Sequence, residues 1–204
     1  MNLRSKAISQ FDDVFARLYS LLRLTILPIE KIDNVVPKSG KVIDYGSGFG
    51  TMSCYLALSS RARDVIGIEY DVYRLKKAKR MAKNVPNLKF VLSDISKIEI
   101  ARADVYLLID VLHHMPYEKQ LSLLQSIINK IKKGNLIVIK EIGKKPLLKY
   151  FWNYLHDKIM TLNDRLYFRG QKWLEDYLSK KGFKIKTIKC ENFFYPHFII
   201  VAKK

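Results

Sequence analysis

Apolar and polar positions fall into two kinds of block along this chain. Continuous apolar runs at Val42–Asp44, Val65–Glu69, Leu88–Leu92, Asp104–Ile109 and Leu136–Glu141 are separated by stretches with helical spacing. Runs without internal alternation suit strands buried on both faces. Helical spacing marks Thr51–Ser59, Asp71–Lys83, Tyr117–Lys132 and Gln171–Lys181. In the third of these, Leu121, Leu124, Ile127, Ile128 and Ile131 share one face. Strand and helix therefore alternate, which predicts an α/β fold with a parallel sheet covered by helices on both faces. Two last strands, Phe183–Lys189 and Phe198–Ala202, are joined by a connection too short for a helical crossover and are predicted to be antiparallel. The expected sheet has seven strands, mostly parallel.

Two segments stand outside this alternation. Residues 8–24 carry Ile8, Phe11, Val14, Phe15, Leu18, Leu21 and Leu22 at helical spacing, with Arg4, Lys6, Arg17 and Arg23 around them. They predict one amphipathic helix that packs on the core, covers a substrate or lies on a membrane surface. Residues 144–170 interleave Tyr150, Phe151, Trp152, Tyr154, Tyr167 and Phe168 with six lysines and arginines, and 150–160 reads as a short helix. An excursion of that size exceeds a simple connector. It packs on the core, lines the substrate pocket or docks on a membrane. The chain of 204 residues reads as a single domain, with 1–36 as an N-terminal helical cap and 144–170 as an insert.

The candidate chemistry begins where the first strand ends. Val42-Ile43-Asp44-Tyr45-Gly46-Ser47-Gly48-Phe49-Gly50-Thr51 is an apolar run, an acid and three alternating glycines before a helix. Glycine permits backbone angles closed to other residues and lets the main chain approach a ligand. In open α/β sheets such a turn lies at the nucleotide-binding edge. The dinucleotide fingerprint G-x-G-x-x-G would need a glycine where Thr51 stands. Glu69 ends the second strand, Asp94 follows the third and Asp110 follows the fourth. One acid at a strand end is commonly a helix cap. Three in succession behind this loop form an ordered set.

D-x-G-x-G-x-G, together with Ile68-Glu69-Tyr70-Asp71, Leu92-Ser93-Asp94-Ile95 and Asp110-Val111-Leu112-His113-His114, resembles the class I S-adenosylmethionine (SAM) methyltransferases. The leucine-histidine-histidine segment is similar to that of the small-molecule and lipid branch. The resemblance covers about residues 40–201. It implies a Rossmann-like fold and SAM as cofactor, with Asp44, Gly46, Ser47 and Gly48 at the methionine end. It implies Glu69 on the ribose, Tyr70, Asp94 and Ile95 at adenine, and Asp110 and Val111 near the methyl donor. Methyl transfer is an in-line displacement that alignment itself accelerates. A base is needed only for an acceptor that loses a proton, and His113 and His114 are the candidates. No third ligand is in register with them, so no metal is expected. The N-P-P-[FY] segment of base-amino methyltransferases is absent, which argues against base N-methylation by that mechanism, and the branch resembled implies a small-molecule or lipid-like acceptor.

Composition changes this picture in two places. Cys54 and Cys190 lie far apart, which excludes a disulfide scaffold and fits a reducing, cytoplasmic setting. The net charge of +18 favours polyanions. Peripheral contact with an anionic membrane is the partner expected, with nucleic acid less favoured. An RNA-binding methyltransferase and a non-catalytic SAM-binding protein are the alternatives. Equally, the lysines serve only to solvate helices. The four strand-end acids would supply local negative charge for a cationic sulfonium.

Overall fold

The computed structural model describes residues 2–94, 101–143, 166–191 and 196–204. Seven strands are present: β1 (Gly40–Tyr45), β2 (Arg63–Glu69), β3 (Leu88–Leu92), β4 (Val105–Ile109), β5 (Leu136–Ile142), β6 (Lys184–Glu191) and β7 (Pro196–Lys203). They form one sheet in the order β3-β2-β1-β4-β5-β7-β6. β1, β2 and β3 pair in parallel, and β7 runs antiparallel to both β5 and β6. The seven-stranded mixed sheet is the one the sequence predicts. Ile95 and the insert's residues 144–165, including its expected helix at 150–160 and His156, lie outside the described residues. The chain divides into two compact units, Met1–Leu107 and Leu108–Lys204.

In the first unit, α4 (Thr51–Ser59) follows β1 and is buried continuously from Thr51 to Ala57. α5 (Val72–Met81) follows β2 with Asp71 as its N-cap, the carboxylate accepting from the Arg74 amide. Arg63, at the start of β2, is fully buried. Its guanidinium holds Asp33 Oδ1 at 2.5 Å and donates to the carbonyls of Pro37, Val36 and Leu56. A buried charge needs such saturation, and in sequence this residue looks like one more exposed arginine.

The N-terminal segment departs from expectation. Instead of one helix over 8–24 there are α1 (Leu3–Ser9), α2 (Val14–Ile26) and α3 (Ile29–Val35). Asp13 is the reason for the first break, because its side chain caps the Ala16 amide at 2.8 Å and starts a new helix. The buried face is also not the apolar one. α2 buries Ala16, Ser20 and Leu24, with Ser20 Oγ 2.8 Å from Thr51 Oγ1. Val14, Phe15, Leu18, Leu21 and Leu22 are exposed.

In the second unit, α6 (Tyr117–Lys130) buries Gln120, Leu123, Leu124 and Ile127. Gln120 replaces Leu121 on the buried face. Its amide nitrogen donates to the Met115 and Tyr167 carbonyls, and its oxygen accepts from Arg169. α7 (Gln171–Lys180) precedes β6.

Candidate active site

The glycine loop closes onto β2. The amides of Gly46 and Ser47 both donate to the Ile68 carbonyl, at 2.9 and 3.0 Å. Gly46, Gly48 and Gly50 have φ of 69°, 58° and 83°, a region that penalises any side chain. Gly50 has a second constraint, since a β-carbon there would lie 2.4 Å from Phe90 Cζ. At Gly48 a β-carbon would meet nothing within 4 Å. Crowding thus accounts for Gly50 but not for Gly48, whose α-carbon faces open space.

Register sets the heights of the acids. Asp44 pairs with Gly67, and Glu69 pairs with Leu92, so each acid lies two residues beyond its neighbour's. Asp44 is buried and accepts from Ser53 Oγ on α4 at 2.6 Å. Burial pushes its carboxyl up from 3.8 to about 6, while the Ser53 hydroxyl and the Arg23 charge pull the other way. Glu69 is also buried. Its Oε2 accepts from the Gly48 amide at 2.7 Å, and its Oε1 accepts from the amides of Tyr70 and Asp71 at 3.0 and 2.9 Å. Tyr70 and Asp94 are exposed. The first unit thus brings Asp44, Gly46, Ser47, Gly48 and Glu69 to one turn, with Tyr70 and Asp94 at the ends of β2 and β3.

The second unit carries the other expected residues. Asp110 has φ 53°, the one positive value at a non-glycine residue among those described. The local negative charge expected there from sequence is met by a buried cation. Lys140, a buried lysine of β5, places its ammonium 2.6 Å from Asp110 Oδ1. Val111 is buried. His113 Nδ1 lies 2.6 Å from Glu141 Oε2, and Glu141 Oε1 accepts from the Leu112 amide at 3.0 Å. The His113 ring stacks on Phe168 with centroids 5.0 Å apart, and the Tyr167 amide donates to the His113 carbonyl. His114 is exposed, its ring 4.2 Å from that of His113.

Ligand atoms of Asp110, His113 and Glu141 lie within 4.8 Å of one another. The third partner missing in sequence is therefore present in space, but a divalent cation there would meet the Lys140 ammonium. Sequence reasoning passed over Lys140, Glu141 and Ser53 as site residues. A signal existed for two of them, because Lys140-Glu141 are adjacent charges inside an otherwise apolar strand.

A mixed sheet with β7 antiparallel, a glycine loop after β1 and an acid closing β2 define the class I SAM-dependent methyltransferase arrangement. The sequence profile described as methyltransferase domain matches residues 37–182, and the chain belongs to that family. It is 28% identical over 137 residues to the carboxy-S-adenosyl-L-methionine synthase of Campylobacter concisus, a match covering 65% of this chain and 58% of that protein. It is 23% identical over 209 residues to the Helicobacter pylori enzyme of the same name, covering 94% and 85%. In fold it is similar to the magnesium protoporphyrin IX methyltransferase of Synechocystis, solved with bound S-adenosylhomocysteine. There the TM-score is 0.67 and the identity 19%, over 86% of this chain and 81% of the other.

Proposed function

We propose that this chain, acting as a single domain, transfers a methyl group from SAM to a small-molecule or lipid-like acceptor in the cytoplasm, with peripheral contact with an anionic membrane. The observation that carries this reading is the loop of left-handed glycines fastened by the Gly48 amide to Glu69, with open space at Gly48 and a buried Asp44 beneath it. That arrangement fits a cationic ligand with an amino-acid tail. When bound, SAM supplies a methyl group activated on a sulfonium. Asp44, Gly46, Ser47 and Gly48 hold the methionine end. Glu69 has three of its roughly four acceptor positions taken by amides, and the remaining one suits a ribose hydroxyl. Tyr70, Asp94 and Ile95 border the adenine, and Asp110 and Val111 face the reacting end.

His113 is the base for an acceptor that carries a proton. Glu141 holds one ring nitrogen of His113, which leaves proton transfer to Nε2. His114, which is exposed, takes the lesser role. Turnover with methyl-labelled SAM against fractionated lipid and metabolite pools tests the reading; transfer of label into none of the pools would end it.

The names of the curated relatives favour a second reading, synthesis of carboxy-S-adenosyl-L-methionine. Mass spectrometry separates the two. Methyl transfer leaves S-adenosylhomocysteine, whereas the synthase reaction leaves a carboxylated sulfonium.

The two glycines make a paired test. Gly50→Ala combines left-handed strain with a clash at Phe90 and should cost about 2–4 kcal/mol of stability. Gly48→Ala meets no neighbour and should cost about 1–2 kcal/mol, yet weaken S-adenosylhomocysteine about tenfold or more through lost close approach. Chemical denaturation and calorimetric titration measure the two effects.

A further inference from the structure

We infer that the outer face of α2 docks the protein on an anionic lipid bilayer. The helix turns Ala16, Ser20 and Leu24 inward and presents Val14, Phe15, Leu18, Leu21 and Leu22, each 45 to 81% exposed. These positions fall at i, i+1, i+4, i+7 and i+8, a continuous stripe along the helix. Buried Phe49 lies under the stripe and touches an exposed ring on each side. Phe15 meets Phe49 at 6.1 Å, Phe49 meets Tyr73 at 6.2 Å, and Val72 and Tyr73 are themselves exposed on α5. A contiguous apolar surface of this kind marks an interaction site.

Charge and shape select the occupant. Asp12 and Asp13, the acids at the start of α2, are paired with Arg80 and Lys77 of α5. Exposed Arg17 lies one turn from Val14 and Leu21 on α2, exposed Lys76 one turn from Val72 on α5, and Lys6 of α1 is exposed as well, on a chain of net charge +18. Two such chains repel each other, which disfavours a second copy. Nucleic acid would be stacked on aromatics, whereas four of the five stripe residues are aliphatic. An aliphatic stripe with a basic rim suits acyl chains beneath anionic headgroups. α2 lies on such a surface and does not cross it, since no described helix is long and apolar enough to span.

The test is sedimentation with phosphatidylcholine vesicles, with and without phosphatidylglycerol. The protein should partition onto the phosphatidylglycerol vesicles and be released by salt. Leu18→Ser with Leu22→Ser should lower partitioning about tenfold or more, leaving S-adenosylhomocysteine binding and Tm unchanged. Lys6→Glu with Lys76→Glu should weaken it through the charge alone. Wild-type partitioning by the leucine variant would overturn the inference. So would competition by RNA that abolishes vesicle binding, or vesicle-free self-association lost in the variant. A Tm lowered by several degrees would place one of this chain's own segments on the face. Cofactor binding is measured separately in the same samples, so its failure and that of docking are distinguishable.

Discussion

Calorimetric titration of S-adenosylhomocysteine should show affinity climbing about tenfold per pH unit up to about pH 6 and then levelling. The cause is Asp44. Its carboxyl, raised by burial to about 6, must lose its proton to meet a ligand ammonium. Binding in this window should release close to one proton, read from enthalpies in buffers of different ionisation heat. Above about pH 8 affinity should fall again as the ligand's α-amino group deprotonates. Asp44→Asn should remove the acid limb and weaken binding about a hundredfold at neutral pH.

Stability should move the other way. The native carboxyl keeps its proton above the pH at which the unfolded chain releases it. Its contribution is therefore fully present below about pH 4 and is lost as pH rises through about 6, a swing of about 3 kcal/mol. Asn carries no such charge, so the ligand-free variant should be the more stable protein at pH 7. Weaker binding with higher stability is the signature of a binding residue that burdens the fold. Equal affinity in variant and wild type would remove Asp44 from the site.

The second large effect concerns His113 and Glu141. For an acceptor that loses a proton, His113→Asn should lower kcat about 10²- to 10⁴-fold with little change in KM for SAM. Glu141 acts through His113 and is a positioning residue. Glu141→Gln keeps the shape but has one carbonyl oxygen where the carboxylate serves both His113 Nδ1 and the Leu112 amide. Both contacts survive only if the imidazole moves its proton to Nε2, the tautomer in which that nitrogen cannot act as base. The kinetic readout separates position from mere structure. Without the carboxylate the imidazolium is less favoured, so the acidic limb of the kcat–pH profile should move to lower pH. An unshifted profile would leave Glu141 a structural residue only. Full activity of His113→Asn would mean that the acceptor needs no base.

Much of this fold was legible because it rests on local signals. Apolar runs marked the strands to within a few residues, and β3 and α4 fall on their expected bounds. The short link between the last two strands predicted their antiparallel pairing. The glycine loop and its acids were visible because a left-handed turn and a ligand carboxylate have few substitutes. What escaped reading was set by neighbours remote in sequence. The inward face of α2 depended on Thr51 offering Ser20 a partner, whereas the break before α2 was a local signal, the Asp13 cap three residues from Ala16, that the apolar periodicity masked. Asp110 was readable as an acid, but its charge is answered by Lys140, thirty positions away. Likewise, nothing near Leu112-His113-His114 indicates that a carboxylate inside β5 fixes the His113 imidazole.

The left-handed backbone at Asp110 has an evolutionary consequence. Glycine or asparagine would relax that φ of 53°, yet either one deletes a carboxylate beside a buried ammonium. Exchanging Lys140 alone for a neutral residue takes the ammonium away from the acid instead. Each single step descends into a fitness valley that the double step avoids. Positions 110 and 140 should accordingly drift as a couple, and an aligned set of descendants should hold a neutral residue at 140 wherever glycine or asparagine occupies 110.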